Sequence, residues 1–187
     1  MHLTHVNYKH RGKRFETMLD NTNRTYALQK RAHFRKTFPE VKLLLGPKGQ
    51  VRKHWFERSG GLDYIGLYEK RFISFDAKST QNKTSFPLQN VEPHQFDELR
   101  RVQDYGGISF LLIHFEEHNE TYYLSADDAL DWANQTERKS IPYEWFKKHT
   151  PLVLQGRHVL LDYLAIVALR IEQEQTFEAR GTTGRVE

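Results

Sequence analysis

Three residues flanking a short turn could do hydrolytic chemistry. In the run from Leu62 to Lys78, two strand-like stretches, Leu62–Tyr68 and Arg71–Lys78, flank Glu69-Lys70. A two-residue turn there pairs Tyr68 with Arg71. Counting outward sets Asp63 opposite Asp76. Directly opposed residues share a face, with Cβ atoms about 4.5–5.5 Å apart. Two carboxylates that close repel each other unless a cation cancels them, and paired carboxylate oxygens suit Mg²⁺. Lys78, two residues beyond Asp76, points to the same side. Such a set can hold a metal, lower the pKa of a water and steady the charge of a phosphorane-like transition state. The register rests on turn length, since a one-residue bulge would spoil it. Taken alone, the pattern also fits a surface hairpin with solvated acids and an ordinary Lys78 ion pair, because Asp-x-Lys is a common tripeptide.

The neighbouring elements follow from periodicity. Phe15, Met18, Leu19, Thr22 and Tyr26 recur at helical spacing, which predicts a helix over 13–30. Residues 41–58 read as two extended arms around Gly46-Pro47-Lys48-Gly49, with Ser59-Gly60-Gly61 as a break. Alternation in Arg71–Lys78 puts Ile73, Phe75 and Ala77 on one face. Asn82–Val91 reads as a loop. Pro93 suits the first turn of a helix to about Asp104, stopped by Gly106-Gly107. Ile108–Glu116 and Thr121–Leu124 form a second strand pair, and Ser125 caps a helix over about Ala126–Gln135. Pro142 starts a short helix holding Trp145 and Phe146, and Val159–Glu174 is a final helix. Trp132, Trp145 and Phe146 are expected in the core. The elements amount to α+β or mixed α/β with a small central sheet. One domain over 1–176 is expected, with an arm at about 41–60 and a flexible tail over 177–187.

Composition narrows the function classes. The 187 residues suffice for one domain, and 13% are aromatic, which argues against disorder. Cysteine is absent, so disulfides, thiolate metal sites and cysteine nucleophiles are excluded; a reducing compartment fits. No zinc site is expected from the ten histidines. No apolar run is long enough to span a membrane, and the first residues lack the apolar stretch of a secretory signal. The formal net charge of +4 hides an asymmetry: residues 1–58 carry +10 and the remainder −6. A basic front end suits a polyanion, although a solvated charged surface has the same composition. Lys42, Lys48, Arg52, Lys53 and Arg58 decorate the arm, with Trp55 and Phe56 at its base. Backbone-directed cations of this kind give salt-sensitive, sequence-independent DNA binding.

Longer stretches carry a resemblance. Leu62-Asp63-Tyr64-Ile65-Gly66-Leu67-Tyr68, Phe75-Asp76-Ala77-Lys78, the block from Asn82 through Thr84-Ser85-Phe86-Pro87 to Asn90, and His94-Gln95 closely resemble the RecU family of Holliday junction resolvases. Arg11-Gly12, Arg138-Lys139-Ser140-Ile141 and Asp162-Tyr163 add to it, so that it runs from about Arg11 to Val167. The Asn82–Asn90 block is far more specific than Asp-x-Lys.

That resemblance implies a homodimeric, Mg²⁺-dependent endonuclease with a restriction-endonuclease-like PD-(D/E)XK core and a protruding basic β-hairpin stalk. Mn²⁺ would substitute for Mg²⁺. It implies metal binding by Asp63, Asp76 and Glu16, a charge-stabilising or water-positioning Lys78, and an orienting Gln95. Asp76 stands where the family often has glutamate, and Leu62 where it commonly has threonine. DNA contacts are expected at Arg11, Arg71, Lys83, Thr84 and Ser85 as well as on the stalk, which would enter the open centre of a four-way junction. Only ten residues precede Arg11, so the long N-terminal arm of some members is not expected. A two-fold dimer would supply paired nicks to a junction of like symmetry. The apolar surfaces of residues 15–28 and 159–171 are candidates for its interface or for the monomer core. The resemblance implies recombinase and branch-migration proteins as partners, and the setting would be the nucleoid-containing cytoplasm of a bacterial or phage-infected cell. The alternatives are a less selective structure-specific nuclease, or a junction-binding, recombinase-modulating protein with little catalysis.

Overall fold

Two neighbouring buried strands, whose side chains feed apolar clusters on opposite faces, organise the main sheet. The computed structural model describes residues 9–182 apart from 39, 58–60 and 136, and leaves out the side chains of residues 9–11, 40–41, 54–57 and 178–182. Its elements are α1 (Lys9–Leu28), β1 (His33–Lys36), β2 (Glu40–Leu45), β3 (Val51–Glu57), β4 (Tyr64–Tyr68) and β5 (Arg71–Thr80). Then come β6 (Ser85–Pro87), a 3₁₀ turn (Leu88–Asn90), α2 (Pro93–Asp104), β7 (Ile108–Phe115), β8 (Glu120–Ser125), α3 (Ala126–Asn134), β9 (Ser140–Pro142), α4 (Tyr143–His149) and α5 (Tyr163–Thr182).

The main sheet has five strands in the order β1-β4-β5-β7-β8. β5 and β7 run parallel and the other neighbours antiparallel, so the sheet is mixed. All eight residues of β7 are buried, as befits a strand covered on both faces. Ile108, Phe110 and Leu112 join Phe75 and Tyr64 in one apolar cluster with Phe15, Leu19 and Tyr26 of α1 and Tyr163, Leu164, Val167 and Ile171 of α5. Leu111, Ile113 and Phe115 join the opposite cluster with Leu99, Ala129, Trp132 and Phe146. This is the expected small mixed sheet flanked by helices.

Two expectations are refined by this packing. The apolar faces of 15–28 and 159–171 meet each other and the sheet, so they form core rather than a free surface. The last helix starts at Tyr163, later than expected, and runs through the beginning of the expected tail to Thr182. Residues 183–187 lie outside the described residues.

The turn that sets the hairpin register is as short as expected. Glu69 and Lys70 both have positive φ, 48° and 64°, the backbone of a two-residue type I′ connection. Tyr68 pairs with Arg71 and Tyr64 with Phe75. α2 begins at Pro93 and ends before Gly106, whose φ is 77°. The arm is a separate two-stranded ribbon of β2 and β3, turning where Gly46 N–H donates to Gln50 O at 2.8 Å.

Candidate active site

The hairpin register brings the two aspartates together. Pairing ends at Tyr64–Phe75, so Asp63 and Asp76 are the next residues outward. The Asp63 backbone and carboxylate both lie near enough to act on the Asp76 carboxyl. Thr37 anchors the start of this strand. Its hydroxyl donates to Leu62 O at 2.8 Å, and its N–H donates to Asp63 O at 2.8 Å.

Asp76 has a fully buried side chain. It lies beside Leu111 of β7 and faces α2. Gln95 Nε2 donates to its Oδ2. Lys78 Nζ lies 3.0 Å from Oδ1. The ammonium forms an ion pair with this buried oxygen. Burial pushes the Asp76 carboxyl up to about 6; Lys78 opposes the shift and Asp63 adds to it. A buried carboxylate with a second acid near it, an ammonium on one oxygen and a pKa raised by desolvation fits a divalent cation. Asp63 and Asp76 would hold the ion, with the Lys78 ammonium alongside.

Glu16 is placed differently. It projects from α1 on the other face of the sheet, where its Oε2 accepts from Lys36 Nζ at 2.6 Å. Among the described residues, no three His, Cys, Asp or Glu side chains converge on one point. Asp63 connects the two faces electrostatically: its charge acts on Asp76 and on Lys36. Burial disfavours the Lys36 ammonium, but the hydrogen bond and charge of Glu16, with Asp63 and Asp20, outweigh it and raise its pKa.

The loop after β5 lies beyond Thr80, at the same strand end as Lys78. Asn82 Oδ1 accepts from Thr84 N–H and from the Thr84 hydroxyl, both at 3.1 Å, and Asn82 Nδ2 donates to Ser85 Oγ at 3.2 Å. Lys83 is exposed, 3.5 Å from Glu117. Arg71 sits at the turn end of β5, paired with Glu174 of α5, so the structure does not bring it to the aspartates. On the arm, Lys48, Arg52 and Lys53 are exposed and Lys42 is half-buried. Arg11, Trp55 and Phe56, as side chains, and Arg58 lie outside the described residues.

Lys36, Thr37 and Asp20 are neighbours of the site that the sequence reading missed. β1 has only four residues and buries only Phe34, too weak an alternation to announce a strand. His114 and His118 are four residues apart, yet they lie on a strand and its turn rather than on one helix face. His114 Nδ1 is 3.0 Å from Thr121 Oγ1, and His118 stacks on Tyr143.

Residues 10–169 match the family model described as Recombination protein U. The chain belongs to the RecU family. It is 38% identical over 163 residues to the Holliday junction resolvase RecU of Shouchella clausii, covering 84% of this chain and 79% of the relative. It is 34% identical over 168 residues to that of Oceanobacillus iheyensis, covering 86% of each, and 34% identical over 170 residues to that of Geobacillus kaustophilus, covering 87% and 85%. A solved structure of the Holliday junction resolvase Hjc from Archaeoglobus fulgidus aligns with a TM-score of 0.43 at 9% identity, over 73% of this chain and 92% of that one. Within the RecU frame, Leu62 is fully buried among apolar side chains. The hydroxyl nearest the Leu62–Asp63 backbone comes instead from Thr37.

Proposed function

We propose that this chain is a Holliday junction resolvase, a structure-selective endodeoxyribonuclease acting in recombination and repair by Mg²⁺-dependent paired nicking. The observation that carries the reading is Asp63 next to Asp76, the latter buried between Lys78 and Gln95. A Mg²⁺ or Mn²⁺ ion bound there would supply a Lewis acid for the phosphodiester and a water of lowered pKa.

The chain's own residues do the rest. Asp63 and Asp76 ligate; Glu16, which Lys36 holds in the metal-free protein, is the third proposed ligand and would have to leave Lys36 to reach the ion. Lys78 neutralises charge that develops on the phosphoryl oxygens. Gln95 fixes the rotamer of Asp76, because its amide is tied at both ends. Lys83, Thr84 and Ser85 contact phosphates beside the cleaved bond, and Arg11 and Arg71 contact the flanking DNA. Lys42, Lys48, Arg52, Lys53 and Arg58 carry the stalk into the junction's open centre, reading shape rather than bases. The nuclease is one domain over 1–176 with the stalk inserted. It acts as a homodimer in the nucleoid-containing cytoplasm, where recombinase and branch-migration proteins meet the same junction.

The test is a nicking assay on a mobile four-way junction and a linear duplex of the same sequence, with and without Mg²⁺. Paired nicks confined to the junction and dependent on the metal are expected. Equal cutting of the duplex would make the chain a less selective nuclease. Tight junction binding without metal-dependent turnover would make it a binding protein.

A further inference from the structure

Lys36 sits at the meeting point of charges from both faces of the sheet. In β1 it lies directly opposite Tyr64, so its side chain leaves on the face that α1 covers. Its stem passes the Tyr64 ring, with Nζ 5.8 Å from the ring centroid. Its Nζ donates to Glu16 Oε2 at 2.6 Å. The Tyr64 hydroxyl donates to Asp20 Oδ1 at 3.1 Å, which holds a second acid on this face. Asp63 precedes Tyr64 in the chain, and its charge acts on the same ammonium. One lysine is therefore bound to Glu16 and feels the charge of two further acids. Of the three, Glu16 and Asp63 are candidate metal ligands.

This creates a conflict that the site must resolve. A carboxylate bound at 2.6 Å by an ammonium has one oxygen occupied and a positive charge beside it. An arriving divalent ion meets that charge. Lys36 is 28% exposed, so a route to solvent exists, and its four-carbon stem lets the head move while the stem stays on Tyr64.

We infer that Lys36 is the resident counter-cation of Glu16 in the metal-free protein, and that it gives up Glu16 when a divalent ion binds. The inference rests on the reading of Glu16 and Asp63 as metal ligands. It assigns Lys36 a role opposite to that of a ligand-supporting residue: it competes with the metal while keeping the apo site from repelling itself apart.

The test measures metal affinity directly. Mg²⁺ titration calorimetry, with Mn²⁺ binding followed by electron paramagnetic resonance, is applied to the full chain as wild type, Lys36→Met, Glu16→Gln and the double variant. Methionine keeps an apolar stem over Tyr64 and removes the charge. Lys36→Met should bind metal roughly threefold to tenfold more tightly, as expected when an ion pair of this exposure is removed. Without metal it should melt lower, and Mg²⁺ should restore its Tm. Glu16→Gln should bind more weakly, and the gain from Lys36→Met should vanish in that background.

Unchanged or weaker binding by Lys36→Met, with Glu16→Gln still weakened, overturns the exchange and leaves Glu16 a ligand. Unchanged binding by Glu16→Gln overturns the ligand reading and the exchange with it. A gain that persists in the double variant also overturns the exchange. Lys36→Gln takes the same measurements should the methionine variant fail to fold.

Discussion

Gln95 holds Asp76 with an amide committed at both ends. Its Oε1 accepts the Glu92 N–H at 3.0 Å, and its Nε2 donates to Asp76 Oδ2. The first turn of α2 thereby fixes which way the amide faces. The amide in turn occupies one oxygen of Asp76 and leaves the other turned toward Lys78. The start of a helix and the middle of a strand are locked together by one side chain.

Gln95→Ala should therefore lose cleavage through Asp76 without losing DNA. A fall of roughly tenfold to a hundredfold in the nicking rate is expected, typical of groups that orient a metal ligand. Gel-shift affinity for the junction without metal should stay within twofold or so of wild type. An unchanged nicking rate would remove Gln95 from the site.

The raised pKa of Asp76 gives a pH signature. Its folded value, about 6, lies above the usual 3.8, so between these values the folded protein holds a proton that the unfolded chain has released. The stability associated with that proton is present below the unfolded value and is lost as pH rises through about 6. A metal must expel the same proton. Calorimetric Mg²⁺ titrations in two buffers of different ionisation enthalpy should show release of about half a proton at pH 6 and almost none at pH 8. Heats independent of buffer at pH 6 would contradict the assignment.

The stalk prediction is electrostatic. Lys48, Arg52 and Lys53 are exposed on a ribbon separate from the main sheet. Replacing all three by alanine should weaken junction binding. It should also flatten the plot of log affinity against log salt by about one unit per lost phosphate contact. Binding curves from 50 to 300 mM salt (about that range suffices) test this. An unchanged slope would mean that the arm stays clear of the backbone.

The hairpin turn carries strain that can be removed. Glu69 and Lys70 adopt positive φ, which L residues with a Cβ resist by about 1 kcal/mol or more each. Replacing them by Asn-Gly, the residues that this turn favours, should stabilise the protein by about 1–2 kcal/mol in urea unfolding and leave nicking intact. A loss of activity without a loss of stability would show that the turn does more than set the register.

That turn also explains what was legible in the sequence. Glu69-Lys70 is short and bounded by strong alternation, so counting outward from it placed Asp63 against Asp76. Pro93 and Gly106 bounded α2 as unambiguously. β1 was hidden because an edge strand of four residues with one buried side chain has almost no periodic signal. β9 was hidden for a similar reason: Ser140–Pro142 is three residues long and pairs with β6, far away in the chain. Lys36 was missed with β1, and Glu16 therefore looked like a free acid. The tie between them is tertiary and has no local spacing. Phe177 has little to bury, at 80% exposed, yet it belongs to α5, because a helix anchored by Tyr163, Leu164 and Val167 propagates past its last core contact.

The most direct test of the account is Asp63→Asn on a mobile four-way junction. The exchange keeps size and backbone and removes one charge of the pair. The variant should bind the junction as wild type does and show essentially no Mg²⁺-dependent nicking, with a fall of at least about a hundredfold. Nicking at the wild-type rate in Mg²⁺ would mean that Asp63 and Asp76 do not form the hydrolytic centre.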